Sequence, residues 1–212
     1  MNCEYLDFTK EIDYDKLHKA SQSLLNGDLV IFPTDTVYGI GCNPFIDSSI
    51  SKLYNAKNRP VTKPINVLIS NMDMLKDLTA IITDTEYKLM KVFWPGPITV
   101  ILKKNGDISD KLTSGLDTIG VRMPNNKIAL DLIEKAGIPI ATSSANISDY
   151  CAPIQISEIP KDFKDTTSFI IDGGPSDLSI ASTIVKIENN QLNILRQGTI
   201  TEAEIKNVIE RN

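Results

Sequence analysis

Short apolar runs alternate with helical patterns along this chain, and the alternation limits what the chain can fold into. Residues 29–32 form an apolar run that Pro33 stops, and residues 119–122 form another, closed by Pro124. Runs of this length predict buried strands, and longer segments between them carry apolar residues at helical spacing. Near the C-terminus, predicted strands follow one another directly. The pattern therefore predicts an α/β protein with a mixed sheet flanked by helices.

Residues that begin and end helices delimit the predicted elements. Helices are predicted over residues 12–26, 47–57, 72–78, 83–93, 126–136 and 201–210, and further strands over 65–69, 98–102, 169–171, 183–185 and 192–195. Asp47 is the predicted N-cap of the second helix, and Thr201 and Glu204 have capping-box spacing. Residues 33–41 are predicted as a loop, and the Asn189–Asn190 pair as a hairpin turn.

The size and charge of the chain limit its partners. The 212 residues are predicted to form a single domain, residues 1–212, which can bury a core without disulfides or metal. The net charge is −5, so the surface as a whole repels nucleic acid and phosphates. An anion site must therefore be a local cluster of lysine and arginine.

Cysteine and histidine are too few for several common chemistries. Cys3, Cys42 and Cys151 have wide spacings and no CxxC, so neither a disulfide framework nor a zinc site is expected. The one histidine, His18, lies in a polar helical segment and is expected to be a solvated surface residue, so neither a histidine-based triad nor a multi-histidine metal site is expected. The N-terminus lacks the features of a signal peptide, and no apolar run approaches the ~20 residues of a membrane span. A cytoplasmic location without membrane contact is expected.

The densest group of cations is residues 57–63, called here the basic segment. It places Lys57, Arg59 and Lys63 within seven residues, after a predicted helix, and two prolines stiffen the backbone. Arginine can fork onto phosphate oxygens, and lysine can act as a point charge. The segment fits a phosphate site, and it also fits a solvated helix end whose cations favour the C-terminal dipole.

A second candidate is residues 142–146, called here the hydroxyl segment, which follows an apolar strand. Its short hydroxyl and amide side chains leave backbone N–H groups accessible, and such groups bind phosphate or carboxylate. Ligands of open α/β sheets bind beyond the C-terminal ends of strands. The alternative is a series of serine and asparagine turns bonded to their own backbone.

Further candidates lie at the ends of other predicted strands. The loop at 33–41 offers the Thr36 hydroxyl and two glycines that allow close backbone approach. Arg122, Ser182 and Arg196 add two cations and a hydroxyl. Taken alone, each of these three residues fits a structural role better than a functional one, and the loop also fits an ordinary strand-to-helix connection.

Five short motifs follow one another along the chain. They are Pro33-Thr34-Asp35-Thr36-Val37-Tyr38-Gly39, Lys57-x-Arg59-Pro60, Trp94-Pro95-Gly96-Pro97-x-Thr99, Val121-Arg122-x-Pro124 and Ser144-x-Asn146. Neither GxxxxGK[ST] nor GxGxxG occurs, so side-chain cations and the hydroxyl segment would have to hold a nucleotide. In this order the motifs resemble the YrdC-type family, whose main members are threonylcarbamoyl-AMP synthases. The resemblance spans residues 27–198.

The resemblance implies a fold and a reaction. The fold would be a twisted mixed sheet with helices around a deep, locally positive cavity. The reaction would be that of an L-threonylcarbamoyladenylate synthase, which makes threonylcarbamoyl-AMP and pyrophosphate from L-threonine, bicarbonate and ATP. Mg²⁺ would accompany ATP, with no metal ligand from protein side chains. Downstream tRNA threonylcarbamoyl-transfer proteins would use the product to modify adenosine beside the anticodon.

Matching the motifs residue by residue implies a site with two halves. The catalytic positions would be Lys57, Arg59, Ser144 and Asn146. ATP would be bound by Arg59, Lys63, Thr118, Ser144, the backbone of Ala152, and Arg196. L-threonine would be bound by Thr36, Leu68, Arg122, Thr142 and Ser182. Leu68 departs from relatives with a polar residue there, so its contact would be apolar or through the backbone. The sequence offers no obvious general base.

Three other functions fit parts of the same pattern. They are a carbamoyl-transfer relative that acts on another acceptor, a double-stranded RNA-binding protein, and a paralogue that has lost the reaction. The acidic chain argues against strong non-specific RNA affinity, which leaves weak RNA binding. The intact Lys57/Arg59 and Ser144/Asn146 pairs argue against a lost reaction. Residues 149–157 are a candidate lid over the ligand.

Overall fold

Eleven strands join in one sheet within residues 3–189 and 191–210, the part of the chain that the computed structural model describes. They are β1 (Glu4–Asp7), β2 (Val30–Phe32), β3 (Gly39–Cys42), β4 (Asn66–Leu68), β5 (Thr79–Ile81), β6 (Ile98–Lys104), β7 (Thr118–Arg122), β8 (Ile140–Ser144), β9 (Phe169–Asp172), β10 (Thr183–Glu188) and β11 (Gln191–Arg196). Their order is β1-β9-β2-β3-β8-β4-β7-β6-β10-β11, and β5 pairs with β6. Parallel pairs such as β4–β7 occur beside antiparallel pairs such as β6–β7. The predicted mixed sheet is confirmed.

Helices flank this sheet, as the alternating pattern predicts. They are α1 (Tyr14–Leu25), α2 (Asp47–Ala56), α3 (Asp84–Phe93), α4 (Asp110–Thr113), α5 (Lys127–Ala136), α6 (Lys161–Lys164) and α7 (Glu202–Glu210), with 3-10 helices at Met72–Asp77 and Ile156–Glu158. Within this arrangement α1 packs against α5, and α3 packs against α7. Each buries its apolar stripe, and a buried leucine or isoleucine side chain contributes about 1.5–3 kcal/mol to folding.

Side-chain caps explain where several helices begin. Asn126 accepts a hydrogen bond from the Ala129 N–H at the start of α5, at 3.0 Å. Thr83 and Glu86 form a reciprocal capping box at the start of α3. The predicted capping box of the last helix is confirmed, because Thr201 Oγ1 donates to Glu204 and accepts from its backbone N–H. Such caps satisfy N–H groups that have no partner within the helix.

Two segments predicted as loops contain strands. The first three residues of β3 lie inside the predicted loop at 33–41, and the first three residues of the hydroxyl segment, Thr142 to Ser144, belong to β8. Glycine, serine and threonine indicate turns when the sequence is taken locally. Here β8 lies between β3 and β4, and both neighbours supply ladder hydrogen bonds. Pairing on both sides outweighs the local preference for a turn.

The prediction for Asp47 as an N-cap is wrong. Ile46 occupies the cap position without a side-chain bond, and Asp47 is the first residue of α2. The Asp47 carboxylate instead accepts from Ser109 Oγ at 2.6 Å and pairs with Lys111 at 3.3 Å. It therefore ties α2 to α4. The strands β1 and β5 were not predicted, because each buries a single residue and so lacks a buried apolar run.

The antiparallel strands β10 and β11 agree with a hairpin. Asn190, the second residue of the predicted turn, lies outside the described residues.

Gly41 lets β3 pack closely against its neighbours. A Cβ atom at this position would lie 2.6 Å from Ile140 Cγ2 and 2.7 Å from Phe32 Cε1. Both neighbours are fully buried. Because a buried ring and a neighbouring strand cannot move apart freely, the sequence needs a residue without a side chain here.

Replacing Gly41 with alanine should lower the free energy of unfolding by about 1–3 kcal/mol, because the added methyl group overpacks the core. Urea denaturation of the variant and the wild type measures the loss. Gly106→Ala is the matched control, since a Cβ there meets no atom within 4 Å. Equal stabilities for the two variants would contradict the packing argument.

Candidate functional site

A cavity of about 430 Å³ opens over one face of the central strands. Ligand sites commonly have volumes of about 300–1,000 Å³. Its walls come from the loop after β2, the basic segment, and the chain before β10. Its floor comes from strands β4, β6, β7 and β8. The cavity is thus built where the sequence places its candidate residues.

Strand register orders the floor into rows. Alternate residues of a strand share a face, and partners on adjacent strands lie side by side. In one row Leu68 lies beside Arg122. In the next row Asn66 lies beside Thr142. In a third row Ser144 lies beside Gly39. Residues predicted to bind L-threonine, namely Leu68, Arg122 and Thr142, therefore lie in the first two rows, and Ser144, predicted to bind ATP, lies in the third.

Four cations line the cavity, and no acidic residue of the described chain lines it. The cations are Arg59, Lys63, Arg122 and Arg196. Burial lowers the pKa of Arg196, and the nearby charges of Arg122 and Arg59 lower it further. Three guanidinium groups that repel one another in a partly dry cavity favour the binding of an anion.

The guanidinium of Arg59 is oriented by the backbone of its own segment. Nε donates to the Lys63 carbonyl at 3.0 Å, and Nη2 donates to the Pro64 carbonyl at 2.8 Å. The Tyr54 hydroxyl donates to the same Lys63 carbonyl at 3.0 Å. The side chain is therefore held in place before a ligand arrives, which reduces the entropy lost on binding.

Lys57 lies behind the cavity and does not line it. Only 1% of the residue is exposed, and its ammonium donates to the Ser144 carbonyl, to the Asn146 carbonyl at 2.6 Å and to Asn146 Oδ1 at 3.3 Å. The Phe163 ring lies 5.9 Å away. Burial, and to a lesser degree Arg59, lowers the pKa of Lys57 to about 7. Lys57 thus joins the end of α2 to the end of β8.

Asn146 completes the same attachment. Its Nδ2 donates to the Tyr150 carbonyl at 2.6 Å, and the Ser148 N–H donates to the Lys57 carbonyl at 2.9 Å. The four residues predicted as catalytic are therefore brought together. Arg59 and Ser144 line the cavity, while Lys57 and Asn146 support it from behind.

Arg122 forms a buried ion pair with Asp35. Nη1 donates to Asp35 Oδ1 at 3.0 Å, and the two side chains are 7% and 3% exposed. Burial lowers the pKa of Arg122, and the Asp35 charge opposes this. Asp35 Oδ2 has no hydrogen-bond partner among the described residues. Asp35 thus fixes one edge of the guanidinium, and the other nitrogens have no bonds within the described chain.

Ser182 and Arg196 are bonded to each other. Arg196 donates from Nε to the Ser182 carbonyl at 2.9 Å and from Nη2 to Ser182 Oγ at 3.0 Å. The Ser182 and Thr99 hydroxyls are 2.8 Å apart. Arg196 is predicted to bind ATP and Ser182 to bind L-threonine. Their hydrogen bonds therefore link the two predicted halves of the site.

The remaining residues that are predicted to bind L-threonine line the cavity. Thr34 Oγ1 donates to the Val37 carbonyl at 2.7 Å, so the Thr36 hydroxyl donates to Thr34 across 3.0 Å. Thr142 Oγ1 donates to the Ile140 carbonyl at 3.1 Å. Leu68 contributes an apolar side chain. The hydroxyl oxygens of Thr36 and Thr142 remain available as acceptors.

Two residues that are predicted to bind ATP lie outside the cavity lining. Thr118 begins β7 beside Lys103, and Ala152 lies after the hydroxyl segment. Lys63 lines the cavity and pairs with Asp149 of the candidate lid at 2.9 Å. Both partners are well exposed, so this ion pair contributes about 0–1 kcal/mol.

Three further polar residues belong to the site, although the sequence did not single them out. Asp35 and Thr99 fall inside two of the five motifs, so the motifs contained the signal for them. Asn66 is one polar residue in an otherwise apolar strand, and its position gave no such signal. It lines the cavity between Thr142 and the strand that carries Arg122.

No group of three or more histidine, cysteine or acidic side chains in the described residues is placed to hold a metal ion. Within the same residues, no helix has the length and apolar character needed to cross a membrane.

Replacing Asp35 with asparagine should lower the free energy of unfolding by about 3–5 kcal/mol, because it leaves the buried Arg122 charge without a partner. The control is Asp28→Asn in the Lys52–Asp28 pair, which has the same 3.0 Å separation but side chains 45% and 28% exposed. That change should cost less than about 1 kcal/mol. Equal losses in chemical denaturation would show that burial adds nothing to the Asp35 pair.

Comparison with known proteins adds a family and several relatives. The model of the Sua5, YciO and YrdC family, described as "Telomere recombination", matches residues 22–198. The threonylcarbamoyl-AMP synthase of Bacillus subtilis is 36% identical over 208 residues, which cover 97% of this chain and 60% of that protein. The enzyme of the same name from Pyrococcus abyssi is 36% identical over 204 residues, with 96% and 60% covered. The chain therefore spans about three-fifths of the length of these curated relatives.

Solved structures agree with this relationship. The crystal structure of P. abyssi Sua5 complexed with L-threonine superimposes with a TM-score of 0.94 at 36% identity, covering 98% of this chain and 61% of that one. The structure of E. coli YciO has a TM-score of 0.81 at 20% identity, with 93% and 97% covered. The second match supports the fold alone.

Proposed function

Because the chain belongs to the Sua5, YciO and YrdC family, we propose that its cavity makes threonylcarbamoyl-AMP and pyrophosphate from L-threonine, bicarbonate and ATP. The observation that carries the proposal is the cavity itself, which combines four cations with hydroxyl groups and has no acidic lining residue in the described chain. A related structure holds L-threonine. The product would serve the threonylcarbamoyl modification of tRNA, through proteins that accept the activated group.

The chemistry explains why such a cavity is needed. The threonine amine attacks the carbon of bicarbonate, water leaves, and a carbamate anion forms. A carbamate oxygen then attacks the α-phosphorus of ATP, and the bond to the β-phosphate oxygen breaks with its electron pair on pyrophosphate. Both reactants are anions, so the reaction depends on screening their charges and aligning them.

The cationic side of the cavity fits ATP. Arg59 is held by the backbone of its own segment and can direct its remaining nitrogen, Nη1, to a phosphate. Lys63 can leave its ion pair with Asp149 and bind a second phosphate. Ser144 and Arg196 also line this region, while Thr118 and the Ala152 backbone would need to contact parts of ATP beyond the lining. Mg²⁺ would be carried by the phosphates of ATP, since Mg²⁺ often keeps its waters and binds through substrate phosphates.

The part of the cavity around Arg122 fits L-threonine. Arg122 uses one nitrogen on Asp35, so its other nitrogens can fork onto the substrate carboxylate. Thr36, Thr142 and Ser182 offer hydroxyls for the polar groups, and Leu68 offers apolar contact to the substrate methyl group.

Lys57 acts in this scheme by positioning Ser144. Its ammonium holds the Ser144 carbonyl from behind and does not line the cavity. Asn146 supports the same turn. The described lining has neither a carboxylate nor a histidine, so no residue there fits a strong general base. The proposed enzyme therefore works through charge and alignment.

The direct test is pyrophosphate release by the purified protein with ATP, bicarbonate and L-threonine. We expect release that requires all three substrates. Arg59→Ala should lower the rate about 100- to 1,000-fold, as expected for the loss of a group that stabilises transition-state charge. Lys19→Ala is the control, because Lys19 is an exposed cation on α1 outside the cavity.

Release without threonine would contradict the proposal, as would an Arg59→Ala rate near that of the wild type. Carbamoyl phosphate and serine, offered in place of bicarbonate and threonine, distinguish a carbamoyl-transfer enzyme or a different amino-acid substrate. Circular dichroism of each variant shows whether the fold is retained.

A further inference from the structure

The Asn66 side chain is a polar group in the cavity floor that makes no hydrogen bond among the described residues. It lines the cavity from β4, in a run that is otherwise apolar. A primary amide has two N–H donors and one carbonyl acceptor. Placing an amide in an apolar strand without partners costs free energy unless a ligand or water completes its bonds. Because Asn66 lines the cavity, its donors and its acceptor are available to a ligand bound there.

The neighbouring strand makes room for this amide. A Cβ atom at Gly120 would lie 2.2 Å from Asn66 Oδ1 and 3.0 Å from Asn66 Cγ. The Asn66 amide thus occupies the space that any side chain at position 120 would fill. At this point of the floor, the Asn66 amide packs over the backbone of Gly120, which has no side chain.

Strand register places Asn66 on the threonine side, next to the boundary with the proposed ATP half, because Thr142 is the last threonine-side residue of β8 before Ser144. Asn66 lies beside Thr142, whose strand continues to Ser144 on the ATP side. In the other direction, β4 continues to Leu68, which lies beside Arg122 on the threonine side. The groups that react must meet between these halves.

We propose that Asn66 binds the carbamate of N-carboxythreonine and holds it for attack on the α-phosphate. The proposal rests on the proposed function and adds a residue to it. The amide Nδ2 would donate to a carbamate oxygen, and Oδ1 would accept from the carbamate N–H. Asn66 takes no proton and forms no covalent bond. The carbamate oxygen forms the bond to phosphorus, and pyrophosphate leaves with the electron pair.

A neutral donor suits this position for a physical reason. The attacking oxygen must keep its negative charge to act as a nucleophile. A lysine or arginine there would bind the carbamate more strongly but would stabilise the ground state as well as the transition state. An aspartate would repel the carbamate. An amide orients the group through both its donor and its acceptor without adding charge.

Steady-state kinetics and calorimetry of Asn66→Ala and Asn66→Asp test the proposal. For Asn66→Ala we expect kcat to fall about 10- to 100-fold, the loss of one hydrogen bond to a charged group, with the KM values for ATP and threonine changed less than about 3-fold. Asn66→Asp should lose more. Asn105→Ala is the control, because Asn105 lies after β6 outside the cavity.

Calorimetric binding separates a contact to the carbamate from a structural effect. Asn66→Ala should weaken binding of N-carbamoyl-L-threonine, a stable mimic, about 10-fold and leave binding of L-threonine unchanged. Equal weakening for both ligands would overturn the proposal, as would a kcat within about 2-fold of wild type.

A double-mutant cycle adds an independent test. Gly120→Ala should displace the Asn66 amide and lower kcat, and adding Gly120→Ala to Asn66→Ala should then cost little more. Additive losses would contradict the proposal. Pyrophosphate release by the wild type distinguishes the two failures. A wild type without threonine-dependent release overturns the proposed function and this proposal together, whereas an active wild type with an unaffected Asn66→Ala variant overturns this proposal alone.

Discussion

The buried ammonium of Lys57 ties the end of α2 to the end of β8. Its three acceptors are two backbone carbonyls and one side-chain amide, all within residues 144–146. The same attachment sets the position of Ser144 in the cavity and of the segment that follows it. Because the ammonium is desolvated and lacks an acidic partner among the described residues, its stabilisation comes from these carbonyl oxygens and from the Phe163 ring. The Lys57-x-Arg59-Pro60 and Ser144-x-Asn146 motifs are therefore joined by this ammonium, which lies behind the cavity, while Ser144 lines the cavity.

The positive charges that line the cavity outnumber the acidic side chains that pair with them among the described residues. The whole chain carries a net charge of −5, yet Arg59, Arg122 and Arg196 lie near one another in the lining. Asp35 is the acidic partner of Arg122, and it leaves the other nitrogens of that group unbonded within the described residues. An anionic ligand would supply the missing negative charge. Under the proposed function, the cations that line the cavity take the place of a phosphate-binding loop of the P-loop type.

Much of the fold could be predicted from the sequence, because apolar spacing and caps act locally. The helices at Lys127–Ala136 and Asp84–Phe93 begin at capping residues visible in the sequence. The strands β3 and β8 were harder, because their glycine and hydroxyl residues favour turns until neighbouring strands pair with them. The family resemblance is confirmed by the comparisons. Within the site, the motifs brought the named residues together but did not indicate that Lys57 lies behind the cavity. They also gave no sign of Asn66, because its proposed role depends on the register of three strands.

We propose that ATP and threonine bind on adjoining parts of one floor, with the reacting groups where these parts meet. A crystal structure with L-threonine, bicarbonate and α,β-methylene-ATP, which cannot release pyrophosphate, measures this directly. We expect the threonine carboxylate on the Arg122 guanidinium, the phosphates at Arg59, and the α-phosphate beside Thr142 on the floor. A nucleotide bound in the separate groove beside Tyr54 and Ser114, or a threonine carboxylate away from Arg122, would contradict the proposed arrangement.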